Sequence, residues 1–257
     1  MQSPDTVHPP RKIAAGRGWR WCVEAFHIVR EQPLTWVLLT LVYLLIGFAV
    51  SLVPVLGRFA GALIGPLFGA GYVLAAHKSV SGGELELADL FEGFRRAPGP
   101  LILVGVIYFA LALASVLVIT IGGVAAGAGG GLLSQPAAEA GQHAAAASGT
   151  VGVLLLVMAV VMFVVSLCYW FAPALVVLNG VSAWQAIRGS LSAGLANWRP
   201  LLVAALALGL LLIPALLPLG LGLLLWIPVA FVTAYTSWRD VFGQPEAPAP
   251  VEAPAQL

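Results

Sequence analysis

Residues Gly16–Val53 read GRGWRWCVEAFHIVREQPLTWVLLTLVYLLIGFAVSLV. Through the first half, Arg17, Arg20, Glu24, His27 and Glu31 recur at three-four spacing on one helical face, with Trp19, Val23 and Phe26 on another. Arg30 and Pro33 then close that helix, and Leu34–Val53 follows without a single Asp, Glu, Lys or Arg. About 20 apolar residues suffice for a helix to cross the hydrocarbon core. The stretch therefore predicts an amphipathic helix lying along the membrane surface, followed by a transmembrane helix.

The same order of parts recurs twice. Leu87, Leu90, Phe91 and Phe94 line one side of a short stretch against Asp89, Glu92 and Arg96; Ser81 and Glu84 have capping-box spacing, and Arg95 and Pro98 precede the next apolar run. Further on, Trp184, Ile187, Leu191, Leu195 and Trp198 form a stripe, Ser182 and Gln185 have capping-box spacing, and Arg199 and Pro200 precede another run. This periodicity reads as three copies of one unit, each a surface helix followed by a transmembrane hairpin. The fold class predicted is all-α: a polytopic membrane bundle with spans at Leu34–Val53, Phe59–Ala76, Leu101–Val124, Val151–Leu178, Leu201–Leu217 and Leu219–Ser237. The uncharged stretch between Arg199 and Arg239 is the hardest to divide. As one helix it would be about 58 Å long, so a tight hairpin turning at Pro218–Gly222 is the better reading and a re-entrant pair the alternative.

Composition agrees. Of the residues, 60% are hydrophobic and 9% charged, with a mean hydropathy of +0.99, where a soluble domain carries about 25% charged residues. Of the 12 basic residues, only Arg58 falls on the far side of the six runs. The positive-inside rule then places both termini in the cytoplasm. A polar stretch precedes an apolar run too long for a cleavable signal, so the first span reads as a retained signal anchor. Residues 122–150 interrupt the second hairpin with a nearly uncharged Gly- and Ala-rich segment, expected to be a flexible outer linker. Residues 241–257 read as a disordered tail, so that residues 1–240 form one membrane domain.

Gly57, Gly61, Gly65 and Gly69 recur every fourth residue at the start of the second span. Such a seam lets a helix backbone approach closely, either within the molecule or from a second copy in a homo-oligomer. Pro66, Pro173 and Pro228 lie in even-numbered spans and are expected to kink them; broken helices also line transporter sites, but those usually need an intramembrane charge, and the six spans hold none. Trp36, Trp198 and Trp238 fall near cytoplasmic boundaries, where indole rings anchor at headgroup depth, and Arg17, Arg20, Arg30, Arg95 and Arg96 are membrane-surface cations. Cys22 and Cys168 have no metal-ligand company, and His8, His27, His77 and His143 fit no zinc spacing. Glu84, Glu86, Asp89 and Glu92 beside Arg95 and Arg96 read as a solvated charged face. No phosphate loop, dinucleotide fingerprint or nucleophile elbow is present, so no catalytic, metal or cofactor residues are assigned and no nucleic-acid partner is expected.

The segments GRGWRWCVEAFHIVREQPL (16–34), GELELADLFEGF (83–94) and FAPALVVLNGVSAW (171–184), continuing to ANWRP (196–200), resemble a family of uncharacterised bacterial inner-membrane proteins, the BPSS-type hypothetical transmembrane proteins. The last block is similar, more loosely, to the membrane domain fused to some bacterial glycerophosphodiester phosphodiesterases. The resemblance implies a multi-pass helical protein of a Gram-negative inner membrane and supplies no catalytic residues. The expected role is non-enzymatic: a structural or accessory membrane protein engaging the lipid bilayer or another membrane protein. The alternative is a permease or channel for an apolar or neutral solute.

Overall fold

The computed structural model describes residues 9–53, 56–129 and 140–243. His8 and the tail beyond Gly243 lie outside these residues, as do the side chains of Arg58 and His143. Among the described residues every regular element is helical: α1 (Arg17–Glu31), α2 (Pro33–Ser51), α3 (Leu56–Val80), a 3-10 turn at Leu87–Phe91 running into α4 (Glu92–Arg96), α5 (Pro98–Gly129), α6 (Ala140–Trp170), α7 (Ala172–Asn179), α8 (Ala183–Ala196), α9 (Trp198–Leu216) and α10 (Leu223–Phe242). Five helices are long and apolar enough to cross a membrane: Pro33–Ser51, Phe59–Val80, Pro98–Gly122, Gly152–Asn179 and Trp198–Leu216. The helix covering the sixth expected span, α10, is not among them; Thr233, Thr236, Ser237, Arg239 and Asp240 make its second half polar.

Prolines set the breaks between short and long helices. Pro33 and Pro98 open α2 and α5, where the missing N–H is an orphan in any case, and push Gln32 and Ala97 out of helical geometry. The Gln32 side chain bridges the break to the chain beyond α3, donating to the Gly83 carbonyl at 3.2 Å and accepting from the Leu85 N–H at 2.9 Å. The capping box expected at Ser182 and Gln185 is present, with the Gln185 amide oxygen accepting the Ser182 N–H at 3.1 Å. The one expected at Ser81 and Glu84 is not. Gly82, at φ +79°, turns the chain out of α3, the Ser81 hydroxyl donates back to His77, and Asp89 takes the capping part by accepting the Glu86 N–H at 2.8 Å.

Helix α3 is the hub. Of its most apolar window 61% is buried, against 11% for α5, because α2, α4, α5, α7 and α10 all pack on it. Two reciprocal glycines bring α4 and its preceding turn down to backbone contact. A Cβ on Gly71 of α3 would stand 2.1 Å from the Leu90 carbonyl oxygen, and one on Gly93 of α4 would stand 2.1 Å from that of Leu67. Pro66 lies inside α3 and leaves the Ala62 carbonyl without its helical donor. That carbonyl faces Gly105 of α5, where a Cβ would come within 2.8 Å of it.

The fourth apolar run is broken at Phe171 into α6 and α7, with Pro173 in the first turn of α7. A hydroxyl from another helix fills the gap. Ser190 of α8 donates to the Leu167 carbonyl at 2.6 Å and accepts the Phe171 N–H at 3.0 Å, so it sits between the two groups that an unbroken helix would join directly. Ser190→Ala is expected to destabilise the micelle-solubilised protein by about 1–3 kcal/mol in a reversible SDS titration, the range for stranding a buried polar group. Unchanged stability would mean that the helix re-forms its own bond across the break.

Two expectations need correction. The segment 122–150 is not all linker, since α5 continues to Gly129 and α6 starts at Ala140, leaving 130–139 outside the described residues. Val241 and Phe242, expected in the tail, are buried in the last turn of α10.

Candidate functional site

The short helices α1, α4 and α8 gather at one end of the bundle into a charged layer that holds nearly all the ion pairs of the described residues. Helix α1 lies across α9 and α10 and buries Trp21, Cys22, Ala25, Ile28 and Val29. Its approach to α9 is close: a Cβ on Gly18 would meet the Pro200 carbonyl oxygen at 2.0 Å. Charges join α1 to the end of α10. Asp240 accepts from Arg17 Nε at 2.8 Å, from Arg17 Nη2 at 2.5 Å and from the Trp21 indole N–H at 2.7 Å. Glu24 bridges Arg17 at 3.1 Å and Arg239 at 2.8 Å. Burial acts to lower the Arg17 pKa, but the Asp240 hydrogen bond and charge, with Glu24 beside them, outweigh it and raise the guanidinium above its ordinary value. The chain before α1 is tied down too. Asn197, between α8 and α9, accepts the Ile13 N–H at 2.7 Å and donates to the Arg11 carbonyl at 2.9 Å, while the Arg11 N–H reaches Val241.

Of the acidic stretch read as a solvated face, Asp89 is buried and holds Lys78 through both oxygens at 3.1 Å. Glu92 pairs with Arg95 and Arg96 at 3.2 and 3.3 Å. Arg20, Arg30, Arg188 and Arg199 are exposed and form no ion pair with a described residue. Trp19, Phe26, Trp184 and Trp198 are exposed on the same layer, and the Arg199 guanidinium lies 5.4 Å from the centre of the Trp198 ring.

The tryptophans read as anchors separate. Trp198 is exposed, and Trp238 is half-buried and donates to Asn179 at 2.9 Å. Trp36 is fully buried and stacks on Tyr72, 6.1 Å between centroids, so its ring meets protein and no headgroup. Its position near a span end is what sequence shows; the docking of α3 and α10 over it is tertiary.

Over 267 aligned residues the chain is 28% identical to a protein of Burkholderia thailandensis named a probable inner membrane protein, covering 93% of this chain and 96% of that one. With five helices able to cross a membrane, that likeness along nearly the whole length settles the class. This chain is a multi-pass integral membrane protein. No protein-family model matches it and no solved structure matches it. Nothing in these comparisons carries the looser likeness to a phosphodiesterase membrane domain.

Away from the charged layer, α2 and α3 flank a groove of about 620 Å³. Three of the seam glycines, Gly57, Gly61 and Gly65, line it, and no other helix fills it among the described residues. A Cβ on Gly61 would have nothing within 4 Å; on Gly57 it would strike the Val50 carbonyl oxygen at 2.1 Å; on Gly69 it would touch Phe231 and the Tyr169 hydroxyl at 3.6 Å. Of the seam only Gly57 meets backbone this closely; Gly71, Gly93 and Gly18, which hold backbone contacts between elements, lie off that four-residue register. Among the described residues no group of three or more His, Cys, Asp or Glu could hold a metal ion.

Proposed function

We propose that the protein is a non-enzymatic accessory protein of the bacterial inner membrane, with six spans in three hairpins and both termini cytoplasmic, which engages anionic lipid or another membrane protein through its charged layer. The observation that carries this reading is the pairing on that layer of large exposed apolar rings with cations that lack a described partner, as at Trp19 and Arg20 and at Trp198 and Arg199. Rings of this kind favour headgroup depth, and each nearby cation adds about 1 kcal/mol of attraction to an anionic leaflet. Counting α10 as the sixth span is supported by its 20 residues, about 30 Å of helix, and by the turn at residues 217–222 that folds it back on α9, with the Trp226 indole donating to Leu208 at 2.8 Å. Its charged end then meets α1, which joins Arg239 and Asp240 to Arg17 and Glu24.

The test is lipid retention. After reconstitution in nanodiscs of phosphatidylcholine and phosphatidylglycerol, native mass spectrometry of the released protein should show bound phosphatidylglycerol in excess of its mole fraction. Replacing Arg20, Arg30, Arg188 and Arg199 together by Gln should cut that enrichment several-fold; an unchanged ratio would sink the reading. A second reading, a carrier for a neutral solute, draws on the groove between α2 and α3. It requires uptake into proteoliposomes that stops when Gly61→Leu fills the groove.

A further inference from the structure

Turns that face water draw on Gly, Pro, Asn, Asp and Ser. The turn between α9 and α10 instead alternates leucine with Pro218, Gly220 and Gly222, placing Leu217, Leu219 and Leu221 between them. From Pro200 to Val232 one side chain carries a polar group, the Trp226 indole, and it donates within the hairpin to Leu208. The next polar side chain along α10, Thr233, is buried and donates to the Val229 carbonyl at 2.7 Å. Leu219 is 98% exposed, and Ile213, Leu216, Leu217 and Leu221 are exposed around it. They continue the exposed stripe of α9 at Leu202, Leu206 and Leu210, which in a membrane-crossing helix faces lipid.

The backbone of the turn is closed on itself. Irregular backbone enters hydrocarbon only where its polar groups are satisfied without water. Pro218 has no N–H, and the N–H groups of Leu219, Gly220, Leu221, Leu223 and Leu224 donate to the carbonyls of Leu217, Leu216, Pro218, Gly220 and Leu221 at 2.9–3.2 Å. Leu219 also holds a left-handed conformation, φ +54°, in a position where glycine would be free of strain. That conformation disfavours a leucine about 5- to 30-fold, whereas moving one leucine side chain from water into hydrocarbon is favoured about 10- to 150-fold. With Leu217 and Leu221 exposed beside it, a hydrocarbon surrounding offsets the strain and water does not. The length of α9 agrees. Its 19 residues rise about 28 Å from Trp198 and Arg199 on the charged layer, against a hydrocarbon core about 30 Å thick, so the turn falls within the core or at its far edge.

We propose that the α9–α10 turn is an immersed tip, with Leu217, Leu219 and Leu221 among the acyl chains of the outer leaflet and no surface in the outer aqueous phase. This rests on the reading of α9 and α10 as a membrane hairpin with both ends cytoplasmic, and names lipid hydrocarbon as what the turn contacts. Leu219→Cys is treated, in intact cells and in inverted membrane vesicles, with a maleimide that cannot cross the bilayer; the parent chain, with buried Cys22 and Cys168, is the blank. From both sides Leu219→Cys should react at least about tenfold more slowly than free glutathione, because the reagent needs a thiolate and hydrocarbon holds none. In proteoliposomes a nitroxide on the same cysteine should collide more often with oxygen than with a water-soluble nickel chelate. Reaction from outside at the glutathione rate overturns the immersed tip and leaves the crossing hairpin standing; reaction from the inside alone overturns both. More frequent collision with the chelate overturns the tip as well. Leu219→Asn adds a test of sign. Asparagine tolerates positive φ better than leucine, so in water the change raises the midpoint of the SDS titration, while in hydrocarbon the amide lacks partners and the midpoint falls. A fall is expected, and a raised or unchanged midpoint overturns the proposal.

Discussion

Gly71→Ala is expected to destabilise the protein by about 3 kcal/mol or more, while Gly61→Ala on the same helix changes stability by less than about 1 kcal/mol. The added methyl is identical in the two variants; the surroundings differ. At Gly71 it would stand 2.1 Å from the Leu90 carbonyl oxygen and 3.2 Å from the Leu90 Cα, so the turn at Leu87–Phe91 must lift off α3 to admit it. That turn also carries Asp89, the partner of Lys78, and lies next to Gly93, the reciprocal glycine. Backbone has no rotamer through which to yield, and the cost therefore exceeds that of ordinary overpacking. At Gly61 the methyl points into the open groove and gains the better helix propensity of alanine. SDS-titrated unfolding of the two variants in mixed micelles measures the difference, and equal midpoints would show that the 87–96 segment is not seated on α3.

Asp240→Ala should release α1. Three donors converge on the Asp240 carboxylate, and one of them, the Trp21 indole, belongs to a fully buried residue. Removing the acceptor strands that N–H and leaves Arg17 with Glu24 alone, for an expected loss of about 2–4 kcal/mol. Cys22, one residue along α1, reports the event. Its thiol is buried between α1 and α9, with Sγ 3.8 Å from the Ala204 carbonyl oxygen, and burial pushes its pKa up. The docked helix therefore holds little thiolate at neutral pH and reacts slowly with maleimide; the undocked helix regains ordinary reactivity. A raised thiol pKa in the folded state means that its contribution is complete below the unfolded pKa and is lost as pH rises through the folded one. Docking of α1 should accordingly weaken on the alkaline side. Labelling of Cys22 that is as slow in Asp240→Ala as in the parent would show that apolar contacts alone hold the helix.

Much of the architecture was readable in the chain because the signals are local. The breaks at Gln32, Ala97 and Asn197 follow from Pro33, Pro98 and Pro200, and the Ser182–Gln185 cap from spacing of three. The candidate site was much less readable. The repeat at Gly57, Gly61, Gly65 and Gly69 marks a face without side chains, yet nothing within the chain says whether a neighbour will cover that face; here Gly57 meets the backbone of α2, Gly61 and Gly65 border a groove, and the contacts that seat the 87–96 segment fall to Gly71 and Gly93. Ser190 carries no motif either, since its partners Leu167 and Phe171 belong to another helix.

By itself the sequence determined which stretches are helical and which can lie in a bilayer, because both depend on composition within one turn or one run: an uncharged apolar stretch has no other solvent, and a proline after a polar helix end, as at Pro33 and Pro98, fixes where the next helix starts. Only the tertiary structure decided which face of each helix meets protein. That choice rests on shape and on donors meeting acceptors between segments remote in the chain, as Asp240 meets Arg17 and Trp21, and it is what buried Trp36 and left Gly61 open.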